Sequence, residues 1–504
     1  MELIHNLLAA QKSAFLPLDP ARQLDSRAVR LADHLRKDRG ATDGDAAEAL
    51  GLRSGSATFR KTKHRLQYAL LNQLTAIDSS YIRCENDRQE ATAAAWKLLA
   101  GGMICRSGKL TPSSIELLKT AYATAAKHDV PEVAALAART LRDHHSNVGF
   151  DRKLYRKYRE DSQVWTLRDR SLTDIREVVA ELNVLRTTTT PPEQITTYLR
   201  TALAQLDAQY KTIDYTRTQL YLFYLRIVAE VVAGNPTGVI DLGRAALDYL
   251  DGRTDTQPGM YQMIESNLSV AYLQTCDYTE GRRFALRLRG STTPASYNYI
   301  KVYELLILLA LRSGNYQDAY TYYREIHAAP VRGKLRDTFA ETFGIIEGYL
   351  YVLIRSGRIV PAEEDVIFPR FRMGRFLNSF PHASQEKSER NVHLLILRLL
   401  DFVIANRHSA SFDGVEAIRK YAQRHLRRGS DVRSRAFLNM LTELPRRAYH
   451  RAAVERHTQR YLNQLRDNRL TESRLGPYRE FVPFEQLWGI VTEHLHNKRA
   501  LVRS

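Results

Sequence analysis

The chain is poor in cysteine, glycine and proline: 3, 25 and 16 in 504 residues. Cys84, Cys105 and Cys276 are odd in number and far apart, which excludes a disulfide framework and a metal-spaced pair, so a reducing cytoplasm is the expected setting. Few alternating apolar runs are bounded by turn pairs, so strands are not expected. Long apolar runs are missing too. The longest, Leu305 to Leu311, falls far short of the roughly 20 residues that cross a bilayer. The opening MELIHNLLAAQKSAFLPLDP lacks a basic stretch ahead of an apolar one, so no secretion is expected.

Patterns that carry chemistry are missing as well. Gly102 to Leu110 has one residue too many for a phosphate-binding loop, and Leu110 stands where Ser or Thr must hold magnesium. His144-His145 and His494/His496 lack the spacing and the acidic or Cys company of a zinc site. Ser384 and Lys387 have nucleophile-base spacing but lie in a polar, irregular stretch where chance matches are common. No enzyme activity, metal or cofactor is expected, and a small-molecule ligand is not.

What remains is 44% hydrophobic and 26% charged, a globular balance that supports a packed, all-α chain. The net charge of +18 is uneven. Residues 1–160 carry 26 Lys/Arg against 18 Asp/Glu, residues 161–386 carry 25 against 26, and residues 387–504 carry 23 against 12. The basic excess therefore belongs to the two ends, where an acidic partner would be met.

The middle repeats itself. Aligning Cys276-Asp277-Tyr278 on Gly314-Asn315-Tyr316 sets Leu268 against Leu306, Gly281 against Ala319 and Ala285 against Tyr323, an offset of 38 residues. Gly357-Arg358-Ile359 marks a further, weaker turn, and Gly234-Asn235 another. Each unit reads as a helix, a turn whose Gly or Asn takes the left-handed conformation, and a second helix folded back on the first. One such hairpin cannot cover its own apolar faces, so neighbours stack. The pattern resembles the tetratricopeptide repeat, with Leu268, Tyr272 and Gly281 in one unit and Leu306, Ala310, Ala319 and Tyr323 in the next at the family's packing positions, and Pro294 and Pro330 near its terminal proline. The spacing exceeds the family's 34 residues. The resemblance implies an α-α superhelix of stacked antiparallel helix pairs over residues 161–368. Its groove would take a protein or peptide segment.

Thr187 to Thr190 and Pro191-Pro192 mark a break and a helix start. Residues 369–389, with Gly374, Ser379, Pro381 and Ser384, read as an irregular loop or linker between the repeats and a helical region at 390–504. In the basic helical region at 1–160, residues 45–66 resemble a bacterial helix-turn-helix: Ala47 and Gly51 permit the turn, and Arg60, Lys61, Lys63, His64 and Arg65 would face phosphates or bases. In the C-terminal region, Val415, Ile418, Ala422 and Leu426 can face inward while Arg419, Lys420, Arg424 and Arg427 gather outside, and Arg446, Arg447, Arg451, Arg456 and Arg460 continue the basic surface. The last helix, 483–501, is expected to cap the array or dock on a partner. Two functions follow as expectations: a cytoplasmic, bacterial protein-interaction scaffold, or a nucleic-acid-binding regulator that uses the basic ends. An acidic protein would suit the same ends.

Overall fold

The computed structural model describes residue 4 and residues 26–38, 40–76, 87–188, 190–294, 296–329, 337–379, 388–407, 415–416, 432–468, 470 and 480–501. The described residues form helices joined by turns and short irregular segments, with no strand among them. Residues 1–174 form one compact unit and residues 175–504 another.

In the first unit α1 (Ser26–Lys37), α2 (Asp43–Glu48) and α3 (Ala57–Ala76) enclose a small core. Ala28, Leu31 and Leu35 of α1 meet Phe59, Leu66 and Leu70 of α3, with Ala46 and Ala47 of α2 beneath them. Thr42 and Asp45 form a capping box that starts α2, and Gly51 at φ +68° ends its turn, where Leu52 N donates to Ala47 O at 2.9 Å. A second core joins α4 (Asp87–Ser107), α5 (Thr111–Lys127), α6 (Pro131–Asn147) and the first part of α7 (Arg152–Thr187). It is rich in alanine, and small residues let these helices approach closely. A Cβ on Gly102 of α4 would stand 2.8 Å from Leu118 Cγ of α5.

The second unit is a run of antiparallel helix pairs in which each helix packs on its neighbour in sequence. The pairs are α8 (Pro192–Tyr210) with the end of α7, α9 (Thr216–Ala233) with α10 (Pro236–Asp251), α11 (Pro258–Thr275) with α12 (Tyr278–Ser291), and α13 (Tyr297–Arg312) with α14 (Tyr316–Ala328). First helices also touch the next first helix, α9 on α11 and α11 on α13, which is the packing order of a helical-repeat stack.

All four turns proposed from the sequence share one backbone. Gly234, Cys276, Gly314 and Gly357 lie at φ +68°, +58°, +76° and +74°. In each, the following N–H closes the helix end by donating five residues back: Asn235 to Glu230, Asp277 to Tyr272, Asn315 to Ala310 and Arg358 to Leu353, at 2.9 to 3.0 Å. After Gly234, Cys276 and Gly314 the next helix starts at once, with Asn235 and Asp277 capping two of them through their side chains. The seven repeat positions read from the sequence, Leu268, Tyr272, Gly281, Leu306, Ala310, Ala319 and Tyr323, are all buried. Gly281 permits a close approach, since a Cβ there would meet Leu309 Cδ2 at 2.6 Å and Tyr272 Cβ at 3.1 Å.

Polar rungs tie successive second helices together at the repeat spacing. Arg244 reaches Glu280, Arg282 donates to Tyr322 OH at 2.7 Å, Arg289 reaches Glu325 at 2.9 Å, and Tyr278 OH donates to Asp318.

After Gly357 the turn forms but the second helix does not. From Ile359 to Ile367 the chain is irregular, because Pro361 falls where a helix would begin its ladder and α14 offers other partners. Gln317 bonds both polar groups of the Val360 backbone at 3.1 Å, Tyr320 OH donates to Asp365 at 2.8 Å and accepts from Ala362 N at 3.0 Å, and Arg324 pairs with Glu364 at 3.0 Å. This strap occupies the rung positions that a second helix would supply.

The stretch 369–389, read from the sequence as irregular, contains the helix α16 (Met373–Ser379), and residues 380–387 lie outside the described residues. Beyond α15 (Asp337–Arg355), α17 (Ser388–Ile404) packs directly on it, with Leu397 over Gly348. Then come α18 (Val432–Arg446), α19 (Arg451–Asp467) and α20 (Phe484–Leu501). The segment leading into α20, and α20 itself, run along the turns: Arg312 Nε donates to Glu480 O at 2.9 Å, Tyr316 OH donates to Gln486 beside Gly314, and Arg358 pairs with Glu493 at 2.5 Å.

Candidate functional site

An open cleft of about 530 Å³ lies between first helices of the stack. In α11 the residues Ile264, Leu268 and Tyr272 are spent on the core. The adjoining face, Met263, Ser266, Asn267, Val270 and Gln274, lines the cleft, opposed by Asn298, Lys301, Leu305 and Leu308 of α13 and closed at one end by Val231 of α9. Val270 is 40% exposed there. Among the lining residues only Lys301 and Glu304 carry charge, and they pair with each other at 2.7 Å, so the cleft is neutral. Gln274 and Asn298 present amides with both a donor and an acceptor, matching the needs of a peptide backbone.

A buried ion pair lies where α20 docks. Arg433 is 5% exposed and Glu480 3% at their side chains, and they form a two-bond fork at 2.8 and 2.9 Å. Arg433 also donates to both oxygens of Glu485 and to the carbonyls of Leu465 and Asn468, so every guanidinium hydrogen is used. Burial pushes the Glu480 carboxyl above its ordinary value, against the pull of Arg433. For Arg433 burial acts downward, yet its bonds to Glu480 and Glu485 prevail and raise it. Nearby, burial raises the Cys276 thiol.

The structure separates the basic residues named from the sequence. Arg60 and Lys61 are exposed on α3, and Arg65 lies on the same face with His64. Lys63 turns aside to grip both oxygens of Asp43 at 2.7 and 2.8 Å, and those hydrogen bonds hold the Asp43 carboxyl below its ordinary value. Arg419, Lys420, Arg424 and Arg427 lie outside the described residues. Of the later arginines, Arg446 and Arg447 pair with Glu443, Arg451 with Glu455, and Arg460 stacks 4.5 Å over Tyr461. Arg456 is exposed. Two carboxylates, Glu443 and Glu455, thus answer five arginines, and the row keeps a net positive charge.

Among the described residues no group of His, Cys, Asp and Glu could hold a metal ion, and no helix is long and apolar enough to cross a membrane. The cleft residues Asn267, Val270, Gln274 and Leu305 were not singled out by the sequence reading. Their signal is a second stripe at helical spacing, mixed amide and apolar, beside the core stripe.

No protein-family model, curated protein or solved structure matches the chain.

Proposed function

We propose that this protein is a non-enzymatic scaffold, built like a tetratricopeptide array and working in a reducing compartment such as the cytoplasm, which holds an extended segment of another protein in the α11–α13 cleft. The observation that carries the reading is the neutral cleft, whose walls combine exposed apolar side chains with amides that can bond a peptide backbone. Its floor is fixed by the packed first helices, so little ordering is needed on binding. Uncharged side chains suit the occupant, since Lys301 and Glu304 already satisfy each other.

The test is selection from a displayed peptide library with the purified chain, followed by binding of the selected peptides to the variants Val270→Arg and Asn298→Ala. Peptides with apolar and small polar residues are expected, and Val270→Arg should weaken them by tenfold or more while the helical circular dichroism is unchanged. A library without enrichment, or peptides indifferent to Val270→Arg, would sink the reading.

A further inference from the structure

The first unit carries a surface that the cleft does not use. α3 buries Phe59, Thr62, Leu66, Ala69 and Leu70 and leaves Ala57, Thr58, Arg60, Lys61, His64 and Arg65 exposed, so its two faces are cleanly divided. No acidic residue occurs anywhere in Ala57–Ala76. Arg53, at the entry to the helix, is exposed as well. We infer that the exposed face of α3 docks on the major groove of double-stranded DNA.

Three observations support this partner over others of the same charge. An α-helix with its side chains is about 10–12 Å across, which the roughly 12 Å wide B-form major groove admits. The Lys63–Asp43 grip ties α2 to α3, and the packing of α1 on α3 fixes the helix so that Arg60 and Lys61 project together. Between Ala57 and Arg65 the exposed positions hold no Phe, Tyr or Trp, the side chains on which single-stranded nucleic acids stack, and the deep, narrow major groove of RNA duplexes does not admit a helix. Guanidinium and ammonium groups on this face would neutralise phosphates, or read guanine edges, and release counterions.

The experiment uses the full-length chain and a fluorescein-labelled, mixed-sequence DNA duplex, with anisotropy followed from roughly 50 to 200 mM salt. Binding that weakens steeply with salt is expected. In Arg60→Ala/Lys61→Ala the affinity should fall at least tenfold and the log–log salt slope should lose about two. Both side chains are exposed, so an unchanged thermal melt should accompany the loss. Arg456→Ala in α19 should stay within about threefold of wild type. The inference is overturned by absent binding at low salt, by binding that survives the double substitution, or by equal affinity for duplex RNA or a poly-glutamate chain.

Discussion

Replacing Arg433 by Met takes away the guanidinium that satisfies Glu480. Glu480 stays behind as a carboxylate 3% exposed, the carbonyls of Leu465 and Asn468 lose their donors, and Glu485, a third exposed, rehydrates. Removing one partner of a buried pair costs about 3–5 kcal/mol. Each abandoned carbonyl adds about 1 kcal/mol, so a loss of about 5–7 kcal/mol is expected. Trp488 sits three residues after Glu485 in α20, and the other tryptophans, Trp96 and Trp165, belong to the first unit. A Trp96→Phe/Trp165→Phe background therefore makes the fluorescence of Trp488 a local reporter of α20. At a urea dependence of roughly 3 kcal/mol/M, its midpoint should fall by about 2 M. The deficit should also depend on pH. Without Arg433, folding raises the Glu480 pKa, the folded state binds the extra proton, and the variant regains stability as pH falls from 8 towards 5. Replacing all three, Arg433→Met/Glu480→Leu/Glu485→Met, should recover most of the loss. A midpoint shift below about 0.3 M for Arg433→Met, or a deficit that grows on acidification, would refute the reasoning.

In the first unit, His145 is buried with neither ring nitrogen hydrogen-bonded, it stacks on Tyr158, and burial lowers its pKa. The unfolded state then holds more protons than the folded one below the ordinary imidazole value, so stability falls as pH drops from about 7 to 5. His145→Phe should flatten that dependence in melts monitored by Trp165. Gly281→Ala places a Cβ 2.6 Å from Leu309 and should cost about 1–3 kcal/mol in urea unfolding. Tyr320→Phe removes the hydroxyl that links Asp365 and the Ala362 amide, and a loss of about 1–2 kcal/mol together with faster proteolysis near Val360 is expected.

Local chemistry was legible in the sequence. A Gly or Cys followed by Asn, Asp or Arg marked four turns of the stack, because the left-handed residue and the closing N–H are properties of six consecutive residues. The buried repeat positions were legible for the same reason: spacing sets the face. The failed second helix after Gly357 was harder, since it depends on Gln317, Tyr320 and Arg324, about 40 residues away, as much as on Pro361. Charge was the least legible feature. Lys63 looked like part of a basic face until Asp43, twenty residues earlier, came beside it, and Arg433 and Glu480 are 47 residues apart. The cleft depends on which neighbour each helix meets, and a single helix carries no record of that.

The path of α20 has a consequence for how the chain folds. Most contacts in the stack join neighbouring helices, and such local closures are fast. The links from Arg312, Tyr316 and Arg358 to Glu480, Gln486 and Glu493 instead close loops of 168, 170 and 135 residues. Loop entropy rises only slowly with length, so the final state loses little, but those contacts must wait until the helices between them are in place. The repeats would assemble first with their turns bare, and docking of α20 would be a separate, later event, visible as a slow phase in the Trp488 signal.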